Sequence, residues 1–203
     1  MRLTRLSFAG SSLVWALVVG VLVVVIAAAM MSPLLQWRDP IYIGAGFAGI
    51  IAMALLLLQP LLAAHNLPGI SAYRSRRAHR WVGGGLIMAV VVHVLGLWIT
   101  SPPDVVDALL FRSPTWFTIW GVIAMWAVFM SGLIAVLRRR FLLRTWRLAH
   151  TSLAVVIVCG SIAHALLIEG TMQTVSKAVL CLFVGAATLM AIVDLRCWLR
   201  AKR

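Results

Sequence analysis

His79 and His93, and again His150 and His164, stand fourteen residues apart on two separate apolar stretches. Fourteen residues is just under four helical turns, so on a helix both members of a pair face nearly the same way, about 21 Å apart along the axis. Two such helices side by side offer two facing His–His sites, one towards each side of a hydrocarbon layer about 30 Å thick. Two imidazoles per site complete an iron whose other four ligands come from a porphyrin. Filling both axial positions suits electron transfer rather than oxygen binding at the metal. A bare zinc ion normally takes three or four protein ligands, and no Cys, Asp or Glu sits at matching depth. A lone histidine at a span end is usually interfacial. His93 and His164 instead fall well inside apolar spans, where polar groups are costly and mark function.

The elements that must position these residues are membrane spans. Of the 203 residues, 63% are hydrophobic and 11% charged, and the mean hydropathy is +1.04, the composition of an integral membrane protein. Six segments are long enough to cross: 13–31, 41–62, 81–99, 116–137, 148–168 and 175–193. The expected fold is all-α, a single domain over residues 1–203 forming a six-helix transmembrane bundle, with two stacked haem sites between the third and fifth spans. Both of those spans begin after a basic cluster and carry a histidine at their start and another fourteen residues on. The other four have no ionisable residue in their central turns and are read as wall.

The net charge of +13 does not point to nucleic acid, because of where it lies. With the N-terminus inside, the cytoplasmic pieces carry 15 Lys and Arg against the single acid Asp194. The other face carries Arg38, Arg112 and Lys177 against Asp39, Asp104, Asp107 and Glu169. The positive-inside rule then places both termini in the cytoplasm, with anionic lipid headgroups as the default partner of the basic loops. A bacterial inner membrane is the expected location. The first apolar run has a basic start and an Ala27-Ala28-Ala29 stretch, but its apolar core is longer than a usual signal h-region, so a retained helix is expected. Cys159, Cys181 and Cys197 form no C-x-x-C-H, so any haem is non-covalent.

Anionic haem propionates need partners. At the His79–His150 site the cations are Arg74, Arg76, Arg77, Arg80, Arg144 and Arg147, with Arg77, Arg80 and Arg147 as possible contacts; near the other site only Arg112 is placed. Each arginine can equally serve topology alone. His65 falls off the pattern and reads as interfacial. Trp37, Trp81, Trp98, Trp116, Trp146 and Trp198 form an interfacial belt, whereas Trp120 and Trp126 lie deeper and read as packing residues. Gly83-Gly84-Gly85, and the stripe Ala154, Ile157, Gly160 and Ser161, leave room either for a flat macrocycle or for close helix packing.

The stretch from Arg76-Arg77-Ala78-His79-Arg80-Trp81-Val82-Gly83 to His93-Val94 resembles the third helix of the ferric reductase-like transmembrane family. Trp146-Arg147-Leu148-Ala149-His150 with His164 resembles its fifth. That family includes ferric reductases, the NADPH oxidase membrane domain and a haem-binding subunit of a bacterial periplasmic reductase. The resemblance implies two haem b groups, with His79 and His150 ligating an inner one and His93 and His164 an outer one. It also implies transmembrane electron transfer, from a cytoplasmic flavoprotein or quinol to an outer-face redox partner or ferric chelate. The chain has no room for a flavin or nicotinamide module, so the donor is expected to be a separate molecule. The rival reading is a haem-free transporter or assembly factor using the histidines as a proton relay; against it, all five acids sit at or near span ends.

Overall fold

The computed structural model describes residues 8–200, and their side chains from 10 to 194. The basic arm with Arg2 and Arg5, the tail with Lys202 and Arg203, and the side chains of Arg196, Cys197, Trp198 and Arg200 lie outside the described residues.

Seven helices follow in order: α1 (Phe8–Met30), α2 (Pro40–Ala63), α3 (Ala72–Thr100), α4 (Pro102–Leu109), α5 (Trp116–Val136), α6 (Leu143–Leu167) and α7 (Thr174–Arg200). Among the described residues all but α4 are long and apolar enough to cross a membrane, six candidate spans, as expected of a multi-pass membrane protein. In lipid every backbone polar group must be satisfied internally, and helices do this within one segment.

The helix ends are written in local chemistry. Asp39 caps α2 by accepting from the N–H of Ile41 at 2.7 Å and of Tyr42 at 3.2 Å, with Pro40 in the first turn. At its other end Asn66 N donates to Leu61 O and His65 N to Leu62 O, a Schellman closure with His65 in the left-handed position at φ 58°. His65 thus ends a helix. Partial burial, then the Arg76 guanidinium, lowers its pKa below the usual imidazole value. Ser71 caps α3, and the buried Ser75 hydroxyl donates to Leu62 O at 2.7 Å, tying the start of α3 to the end of α2.

The third and fifth spans begin earlier than hydropathy suggests. α3 starts at Ala72 and α6 at Leu143, so the basic clusters are helical rather than preceding the helix. Arginine is a good helix former, but a hydropathy window sees only its charge. His79 and His150 are each the eighth residue of their helix, and His93 and His164 each the twenty-second.

Around the bundle, α2 packs on α3, α3 on α5, α5 on α6, α6 on α7 and α7 back on α2, with α1 against α7. The strongest pairings are α2 with α3 and α5 with α6. α3 and α6 are not among the closely packed pairs, and they face each other across the interior of this ring. Trp120 and Trp126, read in sequence as packing residues, stand 42% and 56% exposed, and the Trp126 ring meets Phe129 edge-on at 5.9 Å.

Candidate functional site

Across the ring interior the four histidines meet in the two expected pairs. The His79 and His150 ring centroids are 6.2 Å apart, and those of His93 and His164 are 6.5 Å apart. Because each pair joins equivalent positions of α3 and α6, the two helices run parallel, with the arginine-rich ends together. The His79–His150 pair is therefore the basic-end pair and His93–His164 the far pair.

Each imidazole is held by its Nδ1. His93 Nδ1 meets Ala45 O at 2.7 Å and His164 Nδ1 meets Phe117 O at 2.9 Å. At the basic end, His79 Nδ1 meets Gln59 O at 3.2 Å and His150 Nδ1 meets the Ser131 hydroxyl at 3.1 Å. A carbonyl only accepts, so in three of the four rings Nδ1 carries the proton and Nε2 presents a lone pair. Among the described residues no hydrogen bond engages any of the four Nε2 atoms. This is the arrangement of metal-ligating histidines, whose second nitrogen donates to a carbonyl and so fixes tautomer and ring direction.

The donors fit a bis-imidazole iron. Metal–imidazole bonds are about 2 Å long, so rings on opposite sides of one iron have centroids roughly 6 Å apart, as both pairs do. Among the described residues no three His, Cys, Asp or Glu side chains gather, so a metal held at either pair would take two ligands from the protein and the rest from a cofactor.

The wall helices take a direct part that sequence did not show. α2 supplies the carbonyls of Ala45 and Gln59, and α5 that of Phe117 and the hydroxyl of Ser131. Two glycines lie directly under the far-pair rings. A Cβ on Gly49 would stand 3.1 Å from His93 Nδ1, and one on Gly121 would stand 2.6 Å from His164 Nδ1. Gly44, Gly46 and Gly49 share the spacing of a dinucleotide fingerprint, but they lie inside a membrane helix with no preceding strand. Of the glycines singled out in sequence, Gly83 leaves room for the Gln59 amide and Gly160 for close passage past Trp120 and Ala124 of α5. Both therefore serve helix packing; a Cβ on Gly84 would meet nothing.

At the basic end, Trp146 is no mere belt residue. Its ring stacks on His150 at 5.3 Å and 11°, and Arg138 lies over its ring at 5.4 Å. Trp146 Nε1 and Gln59 Oε1 are both buried without a hydrogen-bond partner. Gln59 Nε2 donates to His79 O at 3.4 Å, so these two residues hold each other in both directions. Arg74, Arg76, Arg77, Arg80, Arg144 and Arg147 are exposed at this end. Arg112 is exposed just past α4, in the closing turn of that helix, where its N–H meets Asp107 O. Lys177, read as an outer-face charge, is instead 7% exposed and donates to Ile168 O at 2.5 Å, closing the end of α6 one turn past His164.

Six membrane-length helices with two facing imidazole pairs among them define a multi-pass membrane protein. The model of the family described as ferric reductase like transmembrane component matches residues 48–161, more than half of the chain. The chain belongs to this family, which implies membrane electron transfer. The match takes in His79, His93 and His150 and stops before His164. Neither the curated proteins nor the solved structures compared with the chain gave a match.

Proposed function

We propose that this protein carries electrons across a membrane on two non-covalent b-type haems, one held by His79 and His150 and the other by His93 and His164. The observation that carries the reading is the pair of ring separations, 6.2 and 6.5 Å, with every Nδ1 engaged and every Nε2 unengaged. Bound there, the haems supply one-electron carriers near the two membrane faces.

The chain's own work is to ligate, aim and insulate. Carbonyls at Nδ1 hold the His79, His93 and His164 rings in one tautomer and raise their basicity as ligands. Apolar spans keep the surroundings dry. The arginine-rich end is read as cytoplasmic, which puts both termini inside, in a bacterial inner membrane. Its positive field favours an acidic flavoprotein as donor, with quinol as the alternative. The far end faces a ferric chelate or a periplasmic redox protein.

The purified chain tests this directly. A reduced-minus-oxidised spectrum should show sharp b-type bands, with two haems per polypeptide by extraction. Featureless spectra from protein expressed with ample haem supply would refute the reading in favour of a haem-free transporter or assembly factor with a histidine proton relay.

A further inference from the structure

A buried N–H without an acceptor is expensive, at a cost comparable to the lost hydrogen bond, and calls for an explanation. Among the described residues two buried side-chain polar atoms lack a hydrogen-bond partner, and both flank the basic-end pair: Gln59 Oε1 beside His79 and Trp146 Nε1 beside His150. They are chemically opposite. Gln59 Oε1 accepts, so a carboxylate does not answer it; Trp146 Nε1 can only donate.

Trp146 also lies where an anion would be held. It is one helical turn before His150, towards the arginine-rich end, with its ring parallel to the imidazole. Arg138, from the turn after α5, covers the ring at 5.4 Å. A cation over an aromatic face draws electron density from the ring. In an indole this sharpens Nε1–H as a donor and suits it to a charged acceptor, where hydrogen bonds are shorter and stronger.

We propose that the Trp146 indole N–H anchors a carboxylate of the haem held by His79 and His150, with Arg138 stacked on the indole to strengthen it. The inference rests on the haem reading above and adds a neutral, directional contact to a pocket whose arginines are all exposed. It makes Trp146 a positioning residue: it grips the cofactor edge and braces the His150 ring with the same side chain.

The test separates the N–H from the ring. Trp146→Phe keeps a smaller aromatic face for His150 and removes the donor, and the ester comparison separates the two losses. Full-length protein is purified and loaded with either native haem or haem dimethyl ester, and release to excess apomyoglobin is timed. With native haem, W146F should lose one of its two haems about tenfold faster than wild type, the scale of one charge-assisted hydrogen bond, and the second haem at an unchanged rate. With the diester the two proteins should match. Equal rates with native haem, or the same acceleration with both haems, overturns the proposal. If W146F does not accumulate, Arg138→Gln keeps the indole and should show a smaller, equally ester-dependent acceleration; no change in R138Q overturns it as well. A wild type that binds no haem defeats the underlying function, whereas a haem-loaded wild type with an indifferent W146F defeats this inference alone.

Discussion

The two histidine pairs share spacing and helices but are held by different chemistry. At the far pair both Nδ1 atoms reach backbone carbonyls at 2.7 and 2.9 Å, over glycines that let α2 and α5 come close. At the basic end the bonds lengthen to 3.2 and 3.1 Å, and one partner is a serine hydroxyl, which can donate or accept. That end adds a stacked tryptophan, an arginine above it and two unpartnered polar atoms. Backbone carbonyls cannot be replaced by substitution and do not titrate. A hydroxyl, an indole and an amide can each be altered. The far pair is built for constancy, while the basic-end pair can be tuned residue by residue.

The strongest way to break this comparison is to remove one ligand from each pair. His93→Ala should remove about half of the bound haem and leave the His79–His150 site reducible from the arginine-rich side, by spectral titration. His79→Ala should instead stop reduction from that side in proteoliposomes; unimpaired transmembrane transfer in this variant would refute the route. A smaller effect should come from the glycines. Gly121→Ala drives a methyl to 2.6 Å from His164 Nδ1, whereas Gly49→Ala reaches only 3.1 Å from His93 Nδ1. G121A should therefore lose far-site haem more than G49A, with the basic-end site intact in both; the reverse order would show that the ring contacts do not govern occupancy. Smallest of all, Ser131→Ala removes a hydrogen bond worth about 1 kcal/mol. It should weaken haem retention at the basic end by less than about tenfold and leave the far site untouched. A shift at the far site instead would sink the claim that Ser131 acts through His150.

The spans and the pairing of the histidines were legible in sequence because apolar length and a repeated polar residue in apolar surroundings are one-dimensional signals. The partners were not. Ala45, Gln59 and Phe117 act through main-chain carbonyls that every residue owns, so their side chains give no sign of the role. Gly49 and Gly121 matter because of what stands opposite them on another helix, which no spacing along one helix records. Lys177 was counted only among the charges of one face because sequence does not show that the α6–α7 connection folds a carbonyl over it. The early starts of α3 and α6 escaped notice because charge masks helix propensity in a hydropathy window. Trp146 looked like a belt residue by position, and its stacking on His150 depends on α6 starting one turn sooner.

The pairing of helices has a consequence for assembly. α2 with α3 carries His79 and His93 together with the acceptors of both, and α5 with α6 carries His150 and His164 with theirs. Each helical hairpin thus contains both of its histidines and the groups that orient them, with no Nδ1 partner drawn from the other hairpin. The four histidines then come together only when the two hairpins close across the ring interior that α3 and α6 face, with α7 bridging α2 and α6. A cofactor joining there would be clasped by one imidazole from each hairpin.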